Sequence, residues 1–420
     1  MSDRSTKNTK PNEDDILRQR HLEQIAAIIA ADWPPTEIAR RLRQEVVGQE
    51  EAVATLAGVL HRHLLTLRLD RESSPQAPPP CKQPVLLIGD SGTGKTKLVT
   101  ELSRLTSLPA VIADTSQLTE AGFTGNSVDD YAAELIEKSN MNLWLGAHGL
   151  VYADELDKCR IQPTNTRDVS GAGSQDSLLK LCDASGEIYC HGVSNGPMGA
   201  RRYQGPFEVG RLMIVAGGAF QNGLHEIIAR RLGERRTIGF GSGQARTPDD
   251  SQRRADLLEA VTGEDLVEYG MKIELIARLA TVCVLRPLTR DQMLQVLAVV
   301  PSGPVQTAVQ VASTVGFDLH FAHPLLVAIV DEAMRAGLGA RALFGITHRV
   351  CQRVMFEVPE QISGTRTQRA VVTLDLDALR DGSYKLEWQR RPTKARSRRL
   401  AAEDDTAGDD GEAAAGIAGS

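Results

Sequence analysis

Residues 85–96 read VLLIGDSGTGKT, and KTKLVTELSRL carries on from Lys95 as a helix-forming run. An apolar strand that breaks into a glycine-rich turn and at once becomes a helix gathers backbone N–H groups, a helix N-terminus and one lysine around a single small volume. That combination suits phosphate groups. The pattern predicts a nucleotide site built from Gly89, Asp90, Ser91, Gly92, Thr93, Gly94, Lys95 and Thr96, continuing into the first helical turn through Lys97 and Leu98. Lys95 is expected at the β- and γ-phosphate oxygens and Thr96 on Mg²⁺. A chance glycine-rich turn would share the spacing but has no reason to lie between an apolar strand and a helix.

The same stretch constrains the fold. A strand with no polar face must be covered on both sides, as in a parallel sheet flanked by helices. PVLLIG, GLVYADE and RLMIVAGG are three such strands separated by helical segments, which predicts an α/β fold with a doubly wound parallel sheet. GLVYADE ends on two carboxylates, Asp154 and Glu155. Adjacent strand residues point to opposite faces, so Asp154 is assigned to the metal and Glu155, at the curling end of the strand, to polarising the attacking water. Such a pair is ordinarily a solvated turn; its position downstream of the phosphate loop favours chemistry.

Composition shifts divide the chain into four parts. Residues 1–33 are expected as an N-terminal extension with one short helix in DDILRQRHLEQIAAIIAA, and 34–288 as a large nucleotide-binding domain. Residues 289–388 read as a smaller, mainly helical α+β domain closed by the strand RAVVTLDLD, and 389–420 as a basic, then acidic tail too poor in apolar residues to fold. The 420 residues carry 48 Lys and Arg against 54 Asp and Glu, a net charge of −6, so no positive field draws the chain to nucleic acid or anionic lipid. No apolar run nears the ~20 residues of a membrane span, and MSDRSTKNTKPNEDD lacks the apolar centre of a signal peptide. A cytoplasmic location is the expectation. The six cysteines form no C-x-x-C, so reduced, mostly buried thiols are expected, with no disulfide scaffold or zinc ribbon. His320 and His323 in LHFAHP are spaced for one helical face, with an ordinary hydrogen-bonded pair as the expected state.

VVGQEEAV, LLIGDSGTGKT, LTEAGFTG, GLVYADELDK, TRDVSGAGSQDSLLKL, VAGGAF, IGFG and GARAL occur in the order found in the ClpX family of AAA+ protein-unfolding ATPases. The chain resembles that family over about residues 34–360. The resemblance implies an AAA+ P-loop NTPase with a small lid domain, a homo-hexamer holding ATP and Mg²⁺ between subunits, and a central pore through which protein substrates are pulled. Gly122-Phe123-Thr124-Gly125 matches the loop that projects an aromatic paddle into that pore, usually tyrosine followed by valine. Losing the hydroxyl removes at most about 0.5–1.5 kcal/mol, whereas the apolar contact of the ring, about 1.5–3 kcal/mol, remains. On the residues alone, Phe123 reads as a core side chain. Arg167 in RDVSGAGSQ matches the second pore loop, and Arg201 and Arg202 in GARRYQG match a basic loop at the pore entrance suited to acidic or carboxylate-ended substrate segments.

By the same resemblance Arg278 is the arginine finger, Arg341 the sensor-2 arginine, and Val46 and Val47 the adenine-contacting segment. Surface ion pairs and apolar packing are the other readings of these residues. Ile238-Gly239-Phe240 in ERRTIGFGSG matches the tripeptide by which the family docks on the peptidase ClpP, where several weak loops on one ring gain from high effective concentration. A buried apolar plug is its alternative. The family's N-terminal zinc-binding domain has no counterpart here, and no zinc site is expected. Threading of substrates, into a ClpP-like peptidase, is the leading expectation. The others are an ATP-driven remodeller of protein complexes without a peptidase, and an ATP-gated scaffold acting on nucleic acid.

Overall fold

The computed structural model describes residues 13–31, 33–72, 82–117, 127–161, 169–183, 186–196, 199–233, 248–279, 281–363 and 368–390. Two compact units divide the chain: Met1–Pro301 with Asp331–Leu343, and Ser302–Val330 with Phe344–Ser420. Residues 289–301 and 331–343 thus group with the first unit.

That unit is built on β1 (Val85–Ile88), β2 (Ala110–Asp114), β3 (Leu150–Asp154), β6 (Met213–Gly218) and β7 (Thr281–Val284), all parallel, in the order β2-β3-β6-β1-β7. β4 (Glu187–Gly196) and β5 (Gly199–Glu208) form an antiparallel hairpin apart from it. The apolar runs behave as double-sided strands should. Leu86 and Ile88 of β1, Val151 and Ala153 of β3, and Ile214 and Ala216 of β6 enter one core. Their neighbours Val85, Leu87, Leu150, Tyr152, Met213 and Val215 enter a second core on the opposite face. The second core also holds Leu98, Val99 and Leu102, so the helix Lys95–Thr106 lies on the face that Tyr152 addresses. Period-two alternation then puts Asp154, two residues beyond Tyr152, on the face of the phosphate-loop helix.

The segment before the sheet follows its sequence signals. Pro35 sits at the start of the helix Pro35–Glu45, where its missing N–H costs nothing. The helix Glu50–Glu72 begins beyond Gly48, whose φ of +75° requires glycine. Among the described residues no helix is long and apolar enough to cross a membrane. Cys159, Cys182, Cys190, Cys283 and Cys351 are free and buried, while Cys81 lies outside the described residues.

The second unit carries β8 (Phe317–Phe321), β9 (Gln368–Leu374) and β10 (Lys385–Arg390), with β9 central, parallel to β8 and antiparallel to β10. Ile346, Val350, Val354 and Val358 form the buried stripe of a helix at i, i+4 spacing. His320 lies on β8 and His323 opens the helix His323–Ala336, so the two do not share a helical face. FDLHF is consumed by parallel pairing with β9 before the helix can start.

Under the N-terminal edge of the first sheet lies a buried polar cluster. His148 is 1% exposed, with Nδ1 2.7 Å from the Trp144 carbonyl and Nε2 2.8 Å from Asp70 Oδ2. Arg211 pairs with the same carboxylate. The hydrogen bond from His148, then that from Arg211, holds the Asp70 carboxyl below its ordinary range. His63 Nε2 lies 2.8 Å from the His148 carbonyl and donates to it. Burial, reinforced by nearby Lys82 and opposed by Asp70, pushes the His63 imidazole down to about 4. The unfolded ring takes its proton near 6.5. Between these values the unfolded state binds a proton that the native state refuses, so native stability should fall as pH drops from about 6.5 to about 4. The residue is half-buried, so the loss is expected on the order of 1–3 kcal/mol. Urea unfolding at pH 7 and pH 5 checks it: the parent should lose stability over this interval and His63→Gln should lose clearly less. Equal slopes in the two proteins would assign the effect to other groups.

Candidate functional site

In a parallel sheet, ligands gather at the carboxyl ends of the strands. Here β6 lies between β1 and β3, with Ile88 in register with Gly218 and Ala153 with Ala216. The loop after β1 and the carboxylates after β3 therefore emerge side by side. Gly92 (φ +83°) and Gly94 (φ +104°) take backbone conformations that other L-residues rarely adopt, and they curl the chain into the start of the helix Lys95–Thr106. Lys95 is 9% exposed, and its ammonium donates to the carbonyls of Gly89 (2.6 Å) and Asp90 (3.1 Å). Burial lowers its pKa, while Asp154, Asp157 and Asp90 pull in the opposite direction. The loop thus collects glycine-permitted turns, an ammonium and a helix N-terminus, a phosphate-binding combination.

Asp154 is fixed from several sides. Thr96 Oγ1 donates to its Oδ2 at 3.1 Å. Its other oxygen, Oδ1, accepts from Tyr152 Oη at 3.1 Å and from the Glu155 amide at 2.9 Å. Thr115 Oγ1 donates to its main-chain carbonyl at 2.7 Å. Burial pushes the Tyr152 phenol well above its ordinary value, so it stays a donor. The ring is fully buried and lies against Gly217, where an added Cβ would fall 2.3 Å from the phenol oxygen. Glycine at 217 is a packing requirement. The Thr96 hydroxyl and Asp154 Oδ2 are adjacent oxygens of the type a hard divalent cation takes.

Glu155 has φ +60°, a left-handed conformation costing a non-glycine residue about 1–2 kcal/mol, and its carboxylate pairs with Lys158. Asp157, two residues on, accepts from the Ala219 amide at 3.0 Å and ties this turn to the end of β6. A retained left-handed glutamate at a strand end is the kind of local strain that clusters at working sites.

The remaining sequence-derived candidates fall in different places. Val46 is buried and Val47 half-buried, with Val46 Cγ1 3.8 Å from where a Cβ on Gly94 would stand. The Lys97 ammonium pairs with Glu101 (2.7 Å) and Glu45 (3.2 Å), and the Leu98 side chain is in the core. Arg341 is exposed but close enough to influence Lys95 electrostatically. It follows a backbone contact in which the Ala340 amide donates to the Gly92 carbonyl at 3.3 Å. Arg278 ends the helix Ile273–Arg278 and lies 4.0 Å from Asp183, remote from the loop's contacts. Arg201 and Arg202 lie on β5, in register with Ser194 and Val193. Gly122, Phe123, Thr124, Gly125, Arg167, Ile238, Gly239 and Phe240 lie outside the described residues.

Several participants escape the motif pattern. Gln49, 4% exposed, donates to the Thr93 carbonyl (3.1 Å) and the Arg286 carbonyl (2.8 Å) and accepts from the Arg286 amide, stitching the phosphate loop to the chain leaving β7. Tyr152 looked like one more apolar strand residue. Gln221 and Arg254 reach the carboxylate of Asp90 from outside the loop, at 2.9 and 3.5 Å. The signal for that contact was the aspartate itself, an acid inside a loop suited to anions. Beside Asp90, Ser91, Gly92 and Thr93 opens a cavity of about 310 Å³, walled on its apolar side by Pro287, Leu288, Met293 and Met334.

A phosphate-type loop, a braced strand-end carboxylate and an adjoining apolar cavity agree with what known proteins show. Residues 85–200 match the ATPase family associated with various cellular activities (AAA). The chain is 30% identical over 334 residues to the ATP-dependent Clp protease ATP-binding subunit ClpX of Bacteroides thetaiotaomicron, covering 78% of each. It is 31% identical over 354 residues to ClpX of Borrelia duttonii, covering 81% of this chain and 77% of that protein. Against ClpX 3 of Methylococcus capsulatus identity is 31% over 381 residues, 88% of this chain and 85% of the other. With likeness of that extent, the chain belongs to the ClpX family of AAA ATPases and is an ATPase.

Proposed function

We propose that this ATPase is a protein unfoldase and translocase, working as a homo-hexamer that threads substrate polypeptides through an axial pore into a ClpP-like peptidase. The observation that carries the motor half of the reading is the Thr96–Asp154 contact, backed by Tyr152, beside the glycine-turned loop. The peptidase half is supported by relatives of similar length named as Clp protease subunits.

The residues present fit ATP with Mg²⁺. The loop amides from Gly89 to Thr96 and the Lys95 ammonium would hold the phosphates. Thr96 and Asp154 Oδ2 would hold the cation, whose chemistry is to neutralise charge on the phosphate oxygens. Val46 and Val47 would contact the adenine. Glu155 is the proposed water-polarising base; to act it must leave Lys158, and a surface ion pair of this kind is worth at most about 1 kcal/mol. Arg278 is exposed at a helix end and suited to reach a neighbouring subunit, while Arg341 would report on the nucleotide of its own chain. Phe123 between its glycines is the proposed paddle, Arg167, Arg201 and Arg202 basic guides for substrate, and Ile238-Gly239-Phe240 the peptidase-docking tripeptide. A remodeller without a peptidase shares every one of these except the docking role.

Glu155→Gln should retain nucleotide binding while phosphate release falls at least about 100-fold, the usual worth of a general base. Turnover near the parent level in that variant would remove Glu155 from the chemistry. Phe123→Ala should hydrolyse ATP at close to the parent rate yet fail to unfold a tagged folded substrate. Adding a ClpP-type peptidase to the parent protein separates the two motor readings. Degradation of the tagged substrate supports delivery, unfolding without degradation supports a stand-alone remodeller, and full unfolding by Phe123→Ala would sink threading altogether.

A further inference from the structure

The phosphate loop carries a negative charge where anions are to be bound. Asp90 follows the first glycine of GDSGTGKT, and its main-chain carbonyl accepts both the Lys95 ammonium (3.1 Å) and the Thr93 hydroxyl (2.9 Å), so its backbone is integral to the loop. An unbalanced carboxylate there would repel a polyphosphate, strongly so at reduced dielectric. The carboxylate is instead engaged from outside. Its Oδ1 accepts from Gln221 Nε2 at 2.9 Å, and Arg254 Nη1 stands 3.5 Å from the same atom. Gln221 lies just past β6, and Arg254 is on the helix Pro248–Leu258 with only 5% of its surface exposed. A guanidinium this deeply buried costs several kcal/mol of desolvation unless partnered, and the Asp90 carboxylate of the loop is one of its partners.

We propose that Gln221 and Arg254 are positioning residues for nucleotide binding: together they turn the Asp90 carboxylate away from the phosphate-binding amides and compensate its charge, so that an aspartate-bearing loop takes a nucleoside polyphosphate. This rests on the nucleotide-site reading. Gln221 supplies direction through a 2.9 Å hydrogen bond from an uncharged donor, and Arg254 supplies charge. Neither needs to touch the nucleotide. Without the clamp the side chain is free to swing toward the loop amides, where it competes with phosphate both as a hydrogen-bond acceptor and as a charge.

The test is a mutant cycle read by equilibrium titration of the full-length chain with a fluorescent ADP analogue and Mg²⁺, with melting temperature followed without nucleotide. Arg254→Met, close in volume and uncharged, should weaken binding about tenfold, and adding Asp90→Asn should restore most of it. Asp90→Asn alone should bind at least as tightly as the parent. Gln221→Leu should behave as Arg254→Met does, more weakly, and stands in for it should Arg254→Met fail to fold. A role confined to packing would lower the melting temperature and would leave the double variant as weak as the single one. That result, or parent-like affinity in both Arg254→Met and Gln221→Leu, overturns the clamp. Lys95→Ala is the control: if it too binds like the parent, the nucleotide site is elsewhere and both readings fall.

Discussion

The hydrogen bond from Tyr152 to Asp154 is the interaction on which the rest of the site depends. A carboxylate at a strand end has two oxygens and a rotatable bond, so by itself it presents no fixed ligand. Here Oδ1 is held from behind by the phenol and by the Glu155 amide, which leaves Oδ2 alone to face Thr96. The phenol is held in turn by burial in the core on the Lys95–Thr106 face of the sheet and by the missing side chain at Gly217. Burial of such a ring contributes about 1.5–3 kcal/mol, more than enough to fix the angle of one carboxylate. Sheet packing is thereby converted into the orientation of a single oxygen.

The next residue is treated in the opposite way. Glu155 is held in a left-handed conformation, is substantially exposed, and has an ion pair with Lys158 as its side-chain contact. Asp154 is anchored and Glu155 is movable, although they are neighbours in sequence. The division suits a pair in which one member holds an ion in a fixed place and the other acts only at a particular moment. Asp157 ties the turn to the end of β6 by accepting from the Ala219 amide at 3.0 Å.

Most of the scaffold was legible because the physics that writes it is local. VLLI, LVYA and MIVA are apolar on both faces, which only a doubly covered parallel strand satisfies, and the glycine spacing of the loop leaves few alternatives. The β4–β5 hairpin was not read, because EIYCHGVSNG and GARRYQGPFE mix glycine, polar and apolar residues with no clean period. LHFAHP misled for a related reason: a spacing of three residues suggests a helical face, but strand pairing with β9 decides the matter from a distant part of the chain. Lys97 illustrates the limit within the site. Its place next to the loop lysine and threonine put it among the nucleotide-site residues, and the motif says nothing of the ion pairs its ammonium makes with Glu45 and Glu101. Gln49, Gln221 and Arg254 act through partners 44 to 237 positions away, and Tyr152 relies on the missing side chain of Gly217; no local pattern announces such contacts.

Two glycines show how close the phosphate loop comes to the segment bearing Arg341. Gly92 and Gly339 both have positive φ, and a Cβ on Gly92 would lie 2.5 Å from the Leu338 carbonyl while one on Gly339 would lie 3.0 Å from the Ser91 carbonyl. Backbone meets backbone, with the Ala340 amide on the Gly92 carbonyl at 3.3 Å. The nearest atoms facing each glycine across this contact are backbone atoms, which have no rotamer with which to absorb a displacement. A shift of the loop by a few tenths of an ångström must be matched by residues 338–340 or must break that hydrogen bond, because close-packed contacts yield by switching rather than by gradual compression. Arg341, one residue further on, moves with whichever alternative prevails. The electrostatic influence of that arginine on Lys95 makes the coupling two-way: whatever changes the charge held in the loop changes the force on the arginine, and through it on the turn that carries it.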